Sequence, residues 1–383
     1  MNDYHIPNWM FLAVGIVHTC PLNCVMCYFD NKNRPTTKSY LMSFPLWKKI
    51  IDKLEAEKIT LDTFSPLIWG ESTLHPQFLK FLEYASKVNL RSKIYNTMHL
   101  CTSGVFINKT TIDGILKENK DGALNFKNIV IGLDAYSEAT YNKIRIGGNF
   151  QKVVDNIKQL VKRREAQGLK HPKVVIEFLY QFDNLDEVKP FIGYWKAWFK
   201  SQGLPISIGW NNDCYTSAED TIFIKRTNVP NLEDQEKLTR LHKEAIIKLG
   251  LLGAEKPVLK NDCFEQTLGS EKQYRKPCSA LWTMLAINYR GLVSGCCFDV
   301  NSLHHFGNIS EQSFHEIWNS KRLTELRLAH ILGNFNTSPL CQRCKNQDGP
   351  VGGKQIYLDY LEEIGRSDLK HKFLSRFNSS VLW

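Results

Sequence analysis

The sequence predicts an α/β fold in which six βα units form a partial barrel and a small cysteine-bearing module follows. Short apolar runs alternate with amphipathic stretches over residues 11–210, a polar stretch comes next, and the cysteines fall into two groups. Strands that alternate with helices indicate parallel βα units. Six such units make a partial (βα)6 TIM-like barrel, open on one side, whose chemistry we expect at the C-terminal ends of the strands.

Periodicity predicts each element of the barrel in turn. The six predicted strands are short apolar runs, namely Phe11–Val17, Leu61–Ile68, Lys93–Leu100, Asn128–Leu133, Val174–Tyr180 and Ile206–Trp210. Apolar residues at helical spacing predict helices between them, namely Pro45–Ala56, Pro76–Val88, Lys109–Glu118, Phe150–Ala166 and Asp186–Gln202.

We expect four segments along the chain. The barrel core is expected over residues 1–226 and a helical bridge over 227–277, with one strong helix at Glu233–Leu249. The cysteine module is expected over 278–353, and a C-terminal helix and tail over 354–383.

The composition is that of an ordinary globular protein, with 43% hydrophobic and 23% charged residues. No apolar run approaches the roughly 18–20 residues that span a bilayer, and Met10–Val17 has neither a basic leader nor a cleavage site. A cytoplasmic protein with no membrane partner is therefore expected. The net charge of +10 is spread along the chain, and its densest group, residues 162–164, lies on a predicted helix, so a nucleic-acid partner is not favoured.

Eleven cysteines are a high count for a cytoplasmic chain, and their odd number and uneven grouping argue against a disulfide framework. Cys20, Cys24 and Cys27 follow the first predicted strand. This spacing lets three thiolates converge on one [4Fe–4S] cluster and leaves one iron open. Zinc is the main alternative, but a structural zinc site needs four ligands and only His18 is close enough along the chain.

Cys-x3-Cys-x2-Cys followed by the aromatic Tyr28, after the first strand of a (βα)6 pattern, resembles the radical SAM superfamily. The resemblance implies that the open iron binds the amino and carboxylate groups of S-adenosyl-L-methionine. One-electron reduction, by a flavodoxin or ferredoxin-type partner, then yields methionine and a 5′-deoxyadenosyl radical. The cofactor supplies the difficult chemistry, while the protein orients it and shields the radical. Tyr28 would lie beside the adenine.

Other residues stand where this resemblance expects them. Gly70 and Glu71 end the second strand, where the family has a Gly-Glu motif that receives the methionyl amino group. A carboxylate suits an ammonium group at that place. Ser103 closes the third strand, and Asp134 and Arg145 resemble the fourth-strand segment near the ribose and carboxylate of the cofactor. Taken singly, Gly70 could be a plain turn and Asp134 a helix cap.

The second cysteine group ends in a Cys-x2-Cys pair. On spacing alone, four converging thiolates suit zinc or a fully ligated iron–sulfur cluster equally well. The surrounding residues resemble the auxiliary-cluster extensions of radical SAM enzymes, called SPASM and its shorter twitch form. The resemblance implies one auxiliary [4Fe–4S] cluster held by Cys278, Cys296, Cys341 and Cys344. Cys297 is the alternative to Cys296 as a ligand.

An auxiliary cluster without an open iron is suited to accepting the electron left on a substrate radical, which favours a net oxidation. A four-cysteine auxiliary site of this compact spacing resembles the radical SAM dehydrogenases of aminoglycoside cyclitol biosynthesis. The resemblance implies a radical SAM oxidoreductase that oxidises an alcohol carbon of a small polyol, cyclitol or sugar. Two alternatives stay open: a maturase of a ribosomal peptide, and a zinc-stabilised binding protein. Cys214 follows the sixth predicted strand and is a candidate hydrogen donor if the reaction is an epimerisation. The catalytic base is sought near the strand ends, among Asp134, Glu177, Gln181, Asn211, Asn212 and Asp213.

Overall fold

The computed structural model describes residues 2–8, 10–27, 40–120, 126–210, 218–227, 232–251, 275–344 and 353–376. The strands are β1 Phe11–Val14, β2 Asn23–Cys24, β3 Leu61–Ser65, β4 Tyr95–Thr102, β5 Phe126–Gly132, β6 Arg145–Ile146, β7 Lys173–Tyr180, β8 Ser207–Gly209, β9 Thr221–Arg226, β10 Met284–Ile287, β11 Leu292–Ser294 and β12 Gly307–Asn308. The helices are α1 Phe44–Ala56, α2 Phe78–Ser92, α3 Lys109–Lys120, α4 Glu138–Ile144, α5 Phe150–Ala166, α6 Val188–Ser201, α7 Leu232–Lys248, α8 Ala280–Thr283, α9 Phe314–Trp318, α10 Lys321–Leu332, α11 Pro339–Arg343, α12 Gln355–Glu363 and α13 Lys370–Ser375.

Within these described ranges, ten strands form one sheet in the order β12-β11-β10-β1-β3-β4-β5-β7-β9-β8, while β2 pairs with β6 separately. The run β1, β3, β4, β5, β7 and β9 is parallel throughout. The predicted α/β class and partial barrel are confirmed. None of the helices in the described segments is long and apolar enough to cross a membrane.

The sixth barrel strand differs from the predicted one. β9 pairs with β7, whereas β8, which lies inside the predicted strand at 206–210, pairs with the outer side of β9. A buried ion pair fixes β9 in this place: Arg164 of α5 donates to both carboxylate oxygens of Asp220, each at 2.7 Å. The amide of Val174 on β7 also donates to Asp220, at 2.7 Å. Asp220 directly precedes β9, so these bonds hold the start of that strand beside β7.

The two faces of the central strands have different surroundings. Ile176 and Ile222 belong to the main core beneath the helices. Val130, Val175 and Phe223 form a separate buried cluster with the partly buried Cys101. Because side chains alternate between the faces of a strand, this second cluster marks the inner face of the barrel.

The C-terminal module continues the barrel sheet. β10 lies parallel to β1, with Phe11 opposite Met284, and β11 and β12 follow as antiparallel strands. Arg327 of α10 is fully buried in this module and donates to the carbonyl oxygens of Leu281 and Trp318, each at 2.9 Å. Burial lowers the pKa of Arg327 to about 10. The pairing of β10 with β1 joins the module to the first barrel strand through the backbone.

Candidate functional site

The first cysteine group lies on the loop after β1. Cys24 belongs to β2 and pairs with Arg145 of β6, and the amide of Cys27 donates to the Cys24 carbonyl oxygen at 3.0 Å. Cys20 and Cys24 are partly buried, whereas Cys27 is exposed. Burial, with smaller contributions from Glu71, Cys24 and Cys27, raises the pKa of Cys20 to about 12. The three thiols thus lie within electrostatic reach of one another.

Gly70 is pressed against the segment that leads into this loop. Its φ is +88°, and a Cβ there would lie 2.5 Å from the Val17 carbonyl oxygen and 2.7 Å from that of Thr19. Only glycine fits such a conformation and approach. The next amide, of Glu71, donates to the Thr19 carbonyl oxygen at 3.0 Å. The turn after β3 therefore sets the position of Glu71 beside the cysteine loop.

The carboxylate of Glu71 is 2% exposed and accepts hydrogen bonds from hydroxyl and amide donors. Oε1 accepts from the hydroxyls of Thr73 at 2.7 Å and Thr102 at 2.9 Å, and from the Thr73 amide at 3.3 Å. Oε2 accepts from the amide and the hydroxyl of Ser103, each at 2.8 Å. A carboxylate offers about four acceptor sites, and the donors of Thr73, Thr102 and Ser103 already use them. An ammonium ligand would therefore replace one of the hydroxyl donors, and that hydroxyl can rotate and accept a hydrogen bond from the ammonium group.

Asp134 and Arg145 form an ion pair beside Cys24. Asp134 is fully buried, and its Oδ2 accepts from Nε and Nη2 of Arg145, each at 2.7 Å. Burial alone would lower the pKa of Arg145, but the charges of Asp134 and Cys24 outweigh it and raise that pKa. Gly132 leaves room for the guanidinium, since a Cβ there would lie 2.0 Å from Nη2. The Arg145 Nη1 atom is 4.0 Å from the Cys24 sulfur.

The structure places Gly70, Glu71, Ser103 and Asp134 at the C-terminal ends of parallel strands, as predicted. Five predicted site residues lie outside the described residues, namely Tyr28, Asn211, Asn212, Asp213 and Cys214. Sequence reasoning assigned no role to Trp69, Thr102 or Gly132. Thr102 lies next to Ser103, and Gly132 lies two residues before Asp134. This closeness in sequence to predicted site residues is the signal that could have identified them.

The second cysteine group draws together loops from β11 and α11 and the segment before α8. Cys278, Cys296, Cys341 and Cys344 are partly buried, whereas Cys297 is exposed. Burial raises the pKa of Cys278 to about 12, with Cys344 and Cys341 adding to the effect. Burial likewise raises the pKa of Cys296, and Cys278 and Cys341 contribute. In the described part of the chain, no group of three or more Cys, His, Asp or Glu side chains lies close enough together to hold a metal ion.

His330 lies beside this second group and accepts a hydrogen bond from its backbone. Its Nδ1 accepts from the Cys278 amide at 3.1 Å, and burial lowers the pKa of the ring to about 4. The neutral ring therefore carries its proton on Nε2, an atom with no partner among the described residues. Four thiols with a buried, unused N–H donor fit an iron–sulfur cluster, because cluster sulfurs accept such bonds.

The two cysteine groups are neighbours across the sheet. β10 lies beside β1, and the indole Nε1 of Trp69 donates to the Cys297 carbonyl oxygen at 2.7 Å. The fold and these groups define an iron–sulfur protein built on a partial barrel.

Family models agree with this class. The radical SAM superfamily model matches residues 14–172, and the model of SPASM, an iron–sulfur cluster-binding domain, matches residues 278–345. The chain therefore carries a radical SAM domain and a SPASM domain. A radical SAM domain implies a [4Fe–4S] cluster with S-adenosyl-L-methionine and an external electron donor, and SPASM implies auxiliary iron–sulfur binding. The predicted family and cofactors are confirmed, and the zinc-stabilised alternative is not supported.

Individual relatives are distant. The curated relative "tungsten-containing aldehyde ferredoxin oxidoreductase cofactor-modifying protein" of Pyrococcus furiosus is 24% identical over 346 residues, 88% of each chain. The solved structure of anSMEcpe with AdoMet and the Cp18Cys peptide is 16% identical, with a TM-score of 0.57 over 96% of this chain and 99% of the other. Streptococcus suis SuiB bound to precursor peptide SuiA is 13% identical, with a TM-score of 0.53 over 84% and 67%. The solved structures share the fold.

Proposed function

We propose that this radical SAM enzyme is an oxidoreductase in which Cys20, Cys24 and Cys27 hold the cluster that binds S-adenosyl-L-methionine. Three protein thiolates leave one iron of a [4Fe–4S] cluster for the cofactor. When bound, cluster and cofactor supply a 5′-deoxyadenosyl radical. The adjacency of the cysteine loop to Glu71 and Arg145 supports this proposal: the Glu71 amide donates to the Thr19 carbonyl oxygen, next to Cys20, at 3.0 Å, and Arg145 Nη1 lies 4.0 Å from the Cys24 sulfur.

The protein's own residues orient the cofactor. Glu71 receives the methionyl ammonium, and Ser103 holds the Glu71 carboxylate through its amide and hydroxyl. Gly70 permits the close turn that places Glu71. Asp134 holds Arg145, whose guanidinium suits the methionyl carboxylate. Tyr28 is proposed to lie beside the adenine.

Cys278, Cys296, Cys341 and Cys344 are proposed to hold one auxiliary [4Fe–4S] cluster. The exposure of Cys297 and the partial burial of Cys296 favour Cys296 as the ligand. Four protein ligands suit electron transfer rather than substrate binding, which supports a net oxidation. The proposed organisation of the chain is a barrel core over residues 1–226, a helical bridge over 227–277, the auxiliary-cluster domain over 278–353, and a C-terminal helix and tail over 354–383.

The proposed substrate is a small polyol, cyclitol or sugar that is oxidised at an alcohol carbon. Among the candidate bases, Asp134 is bound by Arg145 and by the Leu179 amide. Glu177 shares a strand face with Val175 of the inner cluster, so it points into the barrel. Glu177 is therefore the base we favour.

A peptide substrate is the second candidate. Its support is that anSMEcpe and SuiB, which share the fold, have peptides bound. Such a maturase would use the same radical, and Cys214 is the proposed hydrogen donor if the reaction is an epimerisation. A flavodoxin or ferredoxin-type reductant and a cytoplasmic location are proposed for either candidate, since free thiols persist in reducing compartments.

The test is anaerobic reconstitution followed by iron and sulfide analysis and an assay for 5′-deoxyadenosine with dithionite. We expect about eight irons per chain, and about four in the variant Cys341→Ala/Cys344→Ala. Cys101→Ala is the matched control, because this thiol lies on the inner barrel face outside both groups, and it should keep the full iron content. A zinc protein that forms no 5′-deoxyadenosine would refute the proposal.

A further inference from the structure

Trp69 lies between the two cysteine groups. Its indole is 3% exposed and belongs to a small buried cluster with Ala286 of β10, against which Cys20 packs. The Nε1–H donates to the Cys297 carbonyl oxygen at 2.7 Å. Cys297 directly follows the proposed ligand Cys296. One side chain therefore joins the two loops that carry the proposed cluster ligands.

The surroundings hold this indole in one place. The ring of His18 lies edge-on to Trp69 at 6.1 Å, and Tyr289 stacks on His18 at 5.2 Å. The next residue, Gly70, is packed against the backbone of Thr19. Because an enclosed ring in a well-packed interior keeps a single position, the indole N–H stays directed at the Cys297 carbonyl oxygen.

We propose that Trp69 is a positioning residue that fixes the auxiliary-cluster loop against the S-adenosyl-L-methionine site and thereby sets the reduction potential of the auxiliary cluster. This inference rests on the proposed function of the two cysteine groups. The hydrogen bond holds the backbone at Cys297, and with it the neighbouring Cys296, against the Cys20 loop. Cluster potentials depend on the hydrogen bonds to the sulfurs and on solvent exposure. Release of the loop would change both.

The test compares Trp69→Phe with Trp282→Phe in the full-length reconstituted protein. Phenylalanine keeps an apolar ring but removes the N–H. Trp282 is an equally buried indole in the C-terminal module, four residues after Cys278, and its Nε1 has no hydrogen-bond partner in the described structure. Both variants are first analysed for iron, and the potentials of both clusters are then measured by EPR-monitored redox titration.

We expect Trp69→Phe to keep about eight irons per chain and to shift the auxiliary potential beyond experimental error, while Trp282→Phe keeps the wild-type value. Loss of the auxiliary iron from Trp69→Phe alone would also support the inference. Wild-type potentials in Trp69→Phe, or equal changes in both variants, would overturn it. A wild-type protein with about four irons would instead refute the proposed auxiliary cluster itself.

Discussion

Asp134 binds Arg145 from a backbone conformation that few residues adopt. Its φ is +61°, in the left-handed region, and this turn directs the carboxylate back toward the guanidinium of Arg145 at 2.7 Å. Asparagine and aspartate tolerate this region better than most side chains. The pair fastens the end of β5 to β6, the strand that pairs with the cysteine loop.

The first prediction concerns the stability of this pair. Asp134→Asn keeps a residue suited to the left-handed turn but leaves the buried Arg145 charge without its carboxylate. Breaking one side of a buried ion pair costs about 3–5 kcal/mol, so the free energy of unfolding of the apoprotein in urea should fall by that amount. Asp368→Asn removes the carboxylate of an exposed pair with Arg366 and should have no measurable effect. Equal losses in the two variants would contradict this account.

A second prediction follows from the space at Gly132. In Gly132→Ala the new methyl would overlap the Arg145 guanidinium, which cannot move without leaving Asp134. We expect affinity for S-adenosyl-L-methionine to fall about tenfold, the effect of losing one charge-assisted hydrogen bond. Calorimetric titration of reconstituted protein measures it. Gly193→Ala is the control, because nothing lies within 4 Å of its Cβ on α6, and it should bind normally.

A third prediction tests the Glu71 carboxylate. In Glu71→Gln, an amide NH2 replaces an oxygen that accepts from the donors of Thr73, Thr102 or Ser103. The variant loses the charge that attracts the methionyl ammonium, so the Kd should rise about 10–100-fold. Iron content is measured in parallel and should not change. Glu83→Gln, which alters an exposed residue paired with Lys87, serves as the control. An unchanged Kd in Glu71→Gln would remove this residue from the cofactor site.

The fourth prediction is a pH dependence of stability. Burial of His242 in α7 lowers its pKa from the ordinary 6.5 to about 4, and its Nε2 donates to the Ile224 carbonyl oxygen at 3.3 Å. Between those values the unfolded chain binds a proton that the folded chain does not. The free energy of unfolding should therefore fall as pH drops from about 6.5 to 4, by at most about 1.4 kcal/mol per pH unit for this group.

The variant His242→Gln separates this contribution from that of other histidines. Glutamine can still donate to Ile224 but does not titrate, so urea unfolding at pH 7 and pH 5 should differ less than in the wild-type protein. His371→Gln alters an exposed histidine and should leave the difference unchanged. An identical pH dependence in His242→Gln and the wild-type protein would contradict the prediction.

The barrel elements could be predicted because their periodicity is local. Helix α5 begins and ends at the predicted residues, Phe150 and Ala166. β9 escaped prediction because Thr221, Lys225 and Arg226 make half of a short strand polar. Its place in the sheet depends on the ion pair that precedes it, which joins residues distant in sequence.

The candidate site likewise combines residues that the local sequence predicts with contacts that it does not predict. Glu71 and Ser103 stand in short motifs that can be read from the chain. The contact between Trp69 and Cys297 has no local signal, because it exists only when β10 lies beside β1. Pairing across the sheet, rather than spacing along the chain, decides which loops meet.

That pairing also bears on the order of assembly during synthesis. Phe11 is made early and its partner Met284 late, so the nascent barrel carries β1 with an unpaired edge next to a loop of reduced thiols. Exposed strand edges invite association with other chains, and chains generally fold from the N-terminus as they emerge. We therefore expect that iron and sulfide are delivered to the first loop with the least risk of association with other chains once β10 has paired with that edge of β1.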